Sequence, residues 1–498
     1  MIYVFNLVCI MLNIFYLEKT LHVFQRKDYR ISRYFRFFTK KHVFFTFLCL
    51  FFVVLKIFFK NLLLNLVLDL SILIIQSLTV CSLIHSNKTP LKYTSRIKRL
   101  YLISAILTSL SILTPYPTII SSLIVYIAPP VANLLNFYDK IKNKKFIKTA
   151  SKKIKTSNIK IIAITGSNGK TSVKNILLKI LSSTYKVLAS PESYNTPIGI
   201  AKFINESHLE NIDFLILEYG ARQNGDIKTL CEIFGADFGI ITTIAPQHLE
   251  TFKNIENIKK TKNELADFLG NKLCIYNADN EHCHQLYLKK KQAKLEVSIR
   301  KKTYYSATNI DIKNGTTNFL LNIGNSQNEV KTKLLGEHNI FNILLASTMA
   351  HAMNVSTKNI IKAIENLEPT PHRLQLIKSH INILDDTYNC SLDSATEALK
   401  VLSHFDGKKM VATPGIIEGG KNESFLNYKL GELCTFCDYV VIIGNHNKEA
   451  IYSGLKSANF SDKKICFAKN LDEAKQYFHL LSQNDTLLLL NDLPDEYN

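Results

Sequence analysis

Residues 159–172, with the sequence IKIIAITGSNGKTS, decide the fold that we expect for this chain of 498 residues. The first six, Ile159–Ile164, form an apolar run that is typical of a buried strand. The strand leads into a turn with glycines at positions 166 and 169, and helical sequence begins at about Thr171. Such a unit presents backbone N–H groups and a helix N-terminus to phosphate oxygens. The stretch therefore predicts a phosphate-binding turn in an α/β domain.

The turn also predicts which residues contact a nucleotide. The Lys170 ammonium can reach the β- and γ-phosphates, and the Thr171 hydroxyl can bind Mg²⁺. The predicted ATP-binding residues of the turn are Gly166, Ser167, Asn168, Gly169, Lys170, Thr171 and Ser172. The usual P-loop has four residues between its glycines, whereas only two lie between these. The alternative is a Gly-rich strand-to-helix turn without a ligand.

Short apolar strands and amphipathic helices alternate from about residue 158 onwards. In residues 158–370 this rhythm predicts a P-loop-type parallel sheet covered by helices, which would be the central ATP-binding domain. Residues 371–498 predict a second, Rossmann-like α/β domain, so the fold class is α/β. The predicted strands are 214–218, 238–243 and 272–276 in the first domain, and 381–385, 409–412 and 439–443 in the second.

The first third of the chain differs in composition from the rest. Residues 1–155 hold 23 Lys and Arg against four acids, a net charge of +19, while the remainder is close to balanced at +1. Several apolar runs approach the ~20 residues that span a bilayer, and they occupy residues 1–17, 43–59, 62–84, 100–113 and 119–135. The pattern predicts an α-helical transmembrane region of about five spans over residues 1–135 and a basic linker over 136–157. Buried globular helices joined by solvated basic loops are the alternative.

A basic excess confined to apolar segments favours anionic lipid as the partner and argues against nucleic acid. The basic stretches between the runs would face the cytoplasm. The predicted location is therefore a bacterial inner (cytoplasmic) membrane, with the catalytic domains on the cytoplasmic side. The ten cysteines show no disulfide framework, and reduced thiols are expected.

Three further polar residues follow predicted strands of the central domain. Glu218 closes an apolar strand, so its carboxylate would point into the crevice where such sheets bind ligands and Mg²⁺. His248 follows the next strand, and Lys262 lies on the helix after it. Taken singly, each is more often a surface acid, a structural histidine or a solvated lysine.

Together these residues resemble the Mur ligase family. Its form of the turn, Thr-Gly-x-x-Gly-Lys-Thr, is shared with folylpolyglutamate synthetases, and its acid, histidine and lysine follow in the same order. The resemblance implies ATP and Mg²⁺ as cofactors. It also implies metal binding by Thr171, Glu218, His248 and a carbamylated Lys262, and catalytic roles for Lys170, Lys262 and His248.

Three later motifs extend the resemblance to the nucleotide. Asn339 matches the first asparagine of the family's Gly-x-His-Asn-x-x-Asn element, which lies near adenine. Arg373 matches the arginine at the start of the family's last domain, which reaches the phosphates. Asp386 matches the second aspartate of Asp-Asp-Ser-Tyr-Asn, which orients the nucleotide. This chain continues from Cys390 in place of the family's Ala-Asn-Pro, so the geometry of that loop stays open.

Two stretches point to the branch of the family that adds D-alanyl-D-alanine to UDP-MurNAc-tripeptide through an acyl phosphate. Residues 193–199 resemble its substrate loop, and residues 220–227 resemble its Gly-Ala…Gly-Asp-Ile stretch. The predicted substrate residues are Asn195, Thr196, Arg222, Tyr388 and Asn389. The resemblance covers roughly residues 158–450. Typical members begin with a soluble uridine-nucleotide-binding domain, so the way in which UDP is held stays open, as does a lipid-linked acceptor.

Two alternative functions remain at this point. Another ligase of the superfamily would use a lipid-linked, polyglutamate or cyanophycin-type acceptor. A membrane-anchored nucleotide-binding protein or transporter subunit would form no amide, and the sequence contains neither an ABC-type signature nor a Walker B Asp run.

Overall fold

The computed structural model describes residues 2–26, 91–114, 117–134, 137–247, 249–291, 293–313, 315–388, 390–417 and 422–491, with a few single residues between 29 and 74. The chain divides into two compact units, of which the first covers residues 1–142 and the second residues 143–493.

The described part of the first unit consists mainly of helices. These are α1 (Ile2–Arg26), α2 (Ser95–Leu110) with a 3₁₀ turn at Ser111–Leu113, and α3 (Pro117–Leu134). Leu21 and Phe24 of α1 pack against Ile97 and Leu100 of α2. Leu17 of α1 packs in a separate cluster with α3. These three apolar residues of α1 therefore face neighbouring helices, whereas Leu7, Val8 and Met11 of the same helix are exposed.

The predicted inner-membrane location is contradicted by these helices. Within the described ranges, no helix is both long and apolar enough to cross a membrane. Helix α2 has 16 residues and carries three basic side chains near its start, whereas a span needs ~20 apolar residues. Helix α1 buries polar Asn13, which donates to Ser121 Oγ of α3 at 2.8 Å. The prediction of an inner-membrane location is therefore wrong, and these helices support neither a transmembrane region nor a lipid partner. The predicted spans at 43–59 and 62–84 lie outside the described residues, apart from single positions.

A nine-stranded sheet forms the first part of the second unit, in the order β2-β3-β1-β4-β5-β6-β7-β8-β9. Strands β1 to β7 pair in parallel with their neighbours in this order. The last two pairings, β7 with β8 and β8 with β9, are antiparallel. The strands are β1 (Lys160–Thr165), β2 (Val187–Ala189), β3 (Phe214–Glu218), β4 (Phe238–Ile241), β5 (Cys274–Asn277), β6 (Lys294–Ser298), β7 (Tyr305–Lys313), β8 (Thr316–Ile323) and β9 (Ser326–Thr332).

Helices cover both faces of this sheet, which is why β1 and β3 are buried almost throughout. Ile162 and Ile164 of β1 face one core, and Ile161 and Ala163 face the other. The helices are α4 (Phe137–Lys155), α5 (Lys170–Leu181), α6 (Pro197–Glu206), α7 (Asp226–Phe234), α8 (Leu249–Phe252), α9 (Ile255–Leu269), α10 (Glu281–Lys289), α11 (Glu337–Ala352) and α12 (Thr357–Glu365). Helices α5, α11 and α12 line the first core, and α4, α6, α7, α9 and α10 line the second.

A six-stranded sheet follows, in the order β10-β11-β15-β12-β13-β14, and only β10 is antiparallel to its neighbour. Its strands are β10 (Gln375–Lys378), β11 (Asn382–Asp386), β12 (Lys409–Thr413), β13 (Tyr439–Ile443), β14 (Ile465–Ala468) and β15 (Thr486–Leu490). Its helices are α13 (Leu392–Ser403), α14 (Glu423–Leu433), α15 (Lys448–Ser457) and α16 (Leu471–Ala474), with 3₁₀ turns at Cys434–Phe436, Asp462–Lys464 and Lys475–Leu480.

The predicted α/β class, with two mainly parallel sheets, is confirmed. The antiparallel strands β7 to β9 are not among the strands predicted from the sequence, because the parallel βα rhythm that predicted the others does not extend to them. The limits of the predicted domains stay predictions.

Candidate active site

The predicted phosphate-binding turn lies between β1 and α5. Gly169 has a left-handed φ of 81° and caps the helix that begins at Lys170. A Cβ atom at Gly169 would lie 2.6 Å from Asn342 Oδ1, and one at Gly166 would lie 2.0 Å from Thr242 Oγ1. Only glycine fits at either position, because the turn is closely covered by α11 and by the segment after β4.

The segment after β4 also fixes the turn by hydrogen bonds. Thr243 O accepts the Ser167 N–H at 2.7 Å, and Thr243 Oγ1 accepts the Asn168 N–H at 3.0 Å. Ser167 Oγ lies 3.0 Å from both the N–H and the carbonyl oxygen of Ala245. These bonds occupy two N–H groups of the turn. The N–H groups at the start of α5 have no carbonyl within the helix to bind, so they are the groups that suit a phosphate.

The Lys170 side chain folds over its own turn. Its ammonium donates to Gly166 O at 2.9 Å and to Ser167 O at 3.0 Å. Burial lowers the pKa of Lys170, the Glu218 carboxylate opposes that shift, and the Arg373 guanidinium adds to it. The Lys170 ammonium is therefore buried in the turn, and the charges of Glu218 and Arg373 both act on its pKa.

Glu218 ends β3, as predicted, and lies beside Ile164 of β1. Its Oε1 forms an ion pair with Lys174 Nζ at 3.1 Å, and both side chains are 2% exposed. Neither of these two atoms makes a hydrogen bond. Lys174 was missed from the sequence, although its position one helical turn after Lys170 was the available signal. The incompletely bonded carboxylate suits a metal ion, which prefers such oxygen ligands.

Replacing Lys174 with methionine is expected to lower the free energy of unfolding by about 3–5 kcal/mol, because Glu218 would remain buried without its partner. Adding Glu218→Gln should restore most of that stability, since the pair is then neutral. Urea unfolding of the single and double variants measures both effects. Equal stability of Lys174→Met and the original protein would refute a buried ion pair here.

Lys262 lies on α9 and is 4% exposed. Burial and the nearby Lys170 lower its pKa to about 7, against smaller opposing effects of Asp226 and Glu264. Near neutral pH much of this lysine is therefore the neutral amine, which is the form that adds CO₂ to become a carbamate. The lowered pKa suits the carbamate, which itself stays a prediction.

Helix α9 is also joined to the turn before α7. The Glu264 carboxylate accepts the N–H groups of Gly225 and Lys228 at 2.8 and 2.9 Å, and the Thr261 hydroxyl donates to Asn224 at 2.7 Å. The predicted 220–227 stretch and the helix of Lys262 are therefore held together.

The two predicted substrate stretches are neighbours in the structure. Asn195 O accepts the Gly220 N–H at 3.0 Å. Thr196 caps α6 by accepting the Gly199 N–H at 3.3 Å. Arg222 is exposed, and its N–H donates to the Asp226 carboxylate at 2.8 Å. The Thr196 hydroxyl therefore supports the loop itself, while the Arg222 side chain is accessible to a substrate.

The Gly-x-His-Asn-x-x-Asn element lies at the start of α11 and reaches the phosphate turn. Asn342 contacts Gly169, and Asn339 donates to Leu335 O at 2.8 Å. Burial lowers the pKa of His338 to about 4, so this imidazole is neutral. The contact with the turn is made by Asn342, which the prediction did not include among the site residues.

In the second sheet, Arg373 and Asp386 lie close together at the end of β11. The Arg373 guanidinium carbon lies 4.1 Å from the centre of the Tyr388 ring. Asp386 Oδ1 accepts the Leu374 N–H at 3.1 Å. Burial raises the pKa of Asp386 to about 6, with Asp385 adding to the shift and the Leu374 N–H and Arg373 opposing it. Arg373, Asp386 and Tyr388 therefore form one cluster.

Replacing Asp386 with asparagine is expected to raise the free energy of unfolding at pH 7 by about 3 kcal/mol. The folded pKa of about 6 lies above the unfolded value of about 4, so the folded state holds more protons between those values. The stability contributed by Asp386 is therefore present at low pH and is lost as pH rises through 6. The gain from Asp386→Asn should vanish near pH 4. A gain that stays constant from pH 4 to 7.5 in urea unfolding would contradict this assignment.

Two predicted site residues, His248 and Asn389, lie outside the described residues. Gln247, next to the first of them, donates to Asn168 Oδ1 of the turn at 2.7 Å. Across the described part of the chain, no three His, Cys, Asp or Glu side chains are grouped as metal ligands. The predicted metal site therefore rests on Glu218 and on the chemistry of Lys262.

The chain has relatives of known activity. The family description "Mur ligase middle domain" matches residues 164–350. The UDP-N-acetylmuramoyl-tripeptide–D-alanyl-D-alanine ligase of Buchnera aphidicola is 31% identical over 329 residues, which are 63% of this chain and 70% of that protein. The Escherichia coli ligase of the same name is 27% identical over 313 residues, 61% of this chain and 69% of the relative. Among solved structures, MurF ligase from Thermotoga maritima in complex with ADP has a TM-score of 0.62 at 23% identity, covering 70% of this chain and 80% of that one.

Proposed function

This chain belongs to the Mur ligase family, and on that premise we propose that it is an ATP-dependent ligase that joins D-alanyl-D-alanine to UDP-N-acetylmuramoyl-tripeptide. The relatives from Buchnera aphidicola and Escherichia coli carry this activity in their names. The observation within the structure that supports it most is the glycine turn closed by α11, with Lys170 across it and Glu218 on the adjacent strand. Such a turn suits the phosphates of ATP.

Amide formation explains why ATP is required. A carboxylate oxygen is a poor leaving group, so the tripeptide carboxylate first attacks the γ-phosphorus of ATP. This step releases ADP and gives an acyl phosphate. The amine of D-alanyl-D-alanine then attacks the carbonyl carbon, and phosphate leaves from the tetrahedral intermediate. The amide keeps one of the two carboxylate oxygens, and the phosphate carries the other.

The residues of the turn position and neutralise the phosphates, since phosphoryl transfer depends mainly on geometry and charge. The N–H groups at the start of α5 would hold phosphate oxygens. The Lys170 ammonium would exchange its bonds to two carbonyl groups of the turn for bonds to the β- and γ-phosphates.

Thr171, Glu218, His248 and carbamylated Lys262 would hold Mg²⁺, which supplies charge neutralisation to the phosphates and to the acceptor carboxylate. The described residues fit this role, because Glu218 is buried with an oxygen that makes no hydrogen bond and Lys262 has a pKa near 7. Lys174 balances the Glu218 charge within the protein.

Residues of the second sheet would complete the nucleotide site. The Arg373 guanidinium would contact the phosphates, and Asp386 would fix the backbone beside it through the Leu374 N–H. Asn339 would lie near the adenine. The exposed Arg222, together with Asn195, Tyr388 and Asn389, would contact the peptide substrates.

The amine specificity distinguishes this function from that of other ligases in the superfamily. We expect the purified chain, with ATP, Mg²⁺ and UDP-N-acetylmuramoyl-tripeptide, to release ADP in proportion to added D-alanyl-D-alanine. D-Alanine, L-lysine, diaminopimelate and glutamate should give only background release. ADP release driven by one of those single amino acids would assign the chain to another branch. Release only with a lipid-linked tripeptide would change the acceptor.

A further inference from the structure

The segment that leads from α12 into β10 has an unusual backbone. His372 and Leu374 have φ angles of 63° and 49°, although neither is glycine. A side chain with a Cβ atom disfavours this left-handed conformation, so neighbouring contacts must hold it. Arg373, which the proposed function assigns to the nucleotide phosphates, lies between these two residues.

The end of β11 supplies backbone contacts on both sides of Arg373. The His372 carbonyl accepts the Tyr388 N–H at 3.1 Å, and the Leu374 N–H donates to Asp386 Oδ1 at 3.1 Å. The Tyr388 ring lies against the Arg373 guanidinium. The arginine is therefore fixed through its side chain and through both flanking residues.

The His372 side chain adds a contact that glycine could not make. Its Nδ1 lies 2.8 Å from Asp385 Oδ2 and 3.3 Å from Thr387 Oγ1. The Asp385 side chain is 10% exposed, and its Oδ1 accepts the Thr387 hydroxyl at 2.7 Å. A fixed and nearly buried carboxylate therefore holds an imidazole whose own side chain is mostly exposed.

We propose that His372 is a positioning residue for Arg373, and that its bond to Asp385 holds the left-handed backbone that directs the guanidinium at the nucleotide phosphates. Arg373 Nε is buried and makes no hydrogen bond, so it can bind a phosphate oxygen. The Arg373 charge already acts on Lys170 in the phosphate turn. The inference rests on the proposed function, since it requires the nucleotide to bind at that turn.

Two replacements separate the imidazole from the backbone conformation. His372→Ala keeps the Cβ atom and loses the bond to Asp385, so the dissociation constant of Mg·ADP should rise about tenfold. His372→Gly accepts the left-handed backbone without that bond, so the constant should stay within about twofold of the original. Thr387→Val, which loosens Asp385, should weaken binding in the same direction as His372→Ala. Calorimetric titration of the full-length protein with Mg·ADP measures all three without any acceptor.

The control is Asn459→Ala, at an exposed residue after α15 with a left-handed φ of 59°. It should lower the melting temperature and leave ADP affinity unchanged. Unchanged ADP affinity in His372→Ala would overturn the inference. So would a His372→Gly variant that binds as weakly as His372→Ala. If the original protein binds ADP but forms no amide with any amine, the proposed function fails while the positioning role of His372 is still tested by these titrations.

Discussion

The Lys170→Ala variant is expected to lose at least about 1,000-fold in the rate of ADP release driven by the tripeptide carboxylate. Lys170 supplies the ammonium of the phosphate turn and donates to the carbonyl oxygens of Gly166 and Ser167. Removing it leaves the charge that develops on the transferred phosphoryl group without its nearest cation. Because the side chain bonds only to carbonyl groups of its own turn, the fold should survive.

Lys179→Ala is the matched control, since it removes an exposed lysine from the last turn of the same helix. It should retain the original rate to within about twofold, as expected for a surface replacement. Melting temperatures of both variants show whether they are folded. A folded Lys170→Ala variant that ligates at the original rate would remove the turn from the mechanism.

The Lys262→Ala variant is expected to lose about 100- to 1,000-fold in activity, and a short carboxylic acid such as acetate should restore part of it. The pKa of Lys262 is lowered to about 7 by burial and by Lys170, so the neutral amine that adds CO₂ is present at neutral pH. A free carboxylate can enter the space left by the side chain and take the place of the carbamate oxygens.

The lowered pKa of Lys262 also predicts how carbamate formation depends on pH. The amine becomes protonated as pH falls below 7, so carbamate formation should weaken in that direction. Carbon-13 NMR of the original protein with labelled CO₂ should show a carbamate signal that Lys262→Ala lacks. Lys260→Ala, at an exposed position on the same helix, should keep its activity and gain nothing from acetate. Absence of rescue together with absence of the signal would reject the carbamate.

The sequence was sufficient for features that depend on neighbouring residues. The strand predicted at 159–164 is found at Lys160–Thr165. This strand, the glycine turn and the helix after it are encoded by a local apolar run and by glycines that need a left-handed φ or the absence of a Cβ atom. Glu218 was placed at a strand end because its four preceding residues are apolar. These inferences required no knowledge of packing.

Contacts between distant segments could not be predicted in this way. The ion pair of Lys174 with Glu218 depends on how α5 packs on the sheet. The hydrogen bonds from Thr243 to the turn join residues about 75 positions apart in sequence. The His372 contact with Asp385 depends on a left-handed backbone that no local pattern indicates. Each requires the tertiary fold.

The membrane prediction failed for a related reason. An apolar run shows that a helix needs burial, but the run does not identify the partner that buries it. Helix α1 carries Asn13 and Thr20, which bond to Ser121 and Val125 of α3, and such polar contacts mark a helix packed against protein.

Strand β8 differs from these cases, because its pattern is local. It alternates buried and partly buried residues, and this period of two is a signal of a strand that the sequence itself contains.

The most direct test of the central claim follows the oxygen of the acceptor. UDP-N-acetylmuramoyl-tripeptide labelled with oxygen-18 in its terminal carboxylate is incubated with the purified chain, ATP, Mg²⁺ and D-alanyl-D-alanine. An acyl phosphate predicts one labelled oxygen in each inorganic phosphate, with one ADP and one amide formed per turnover. Unlabelled phosphate, or AMP with pyrophosphate in place of ADP, would contradict the account.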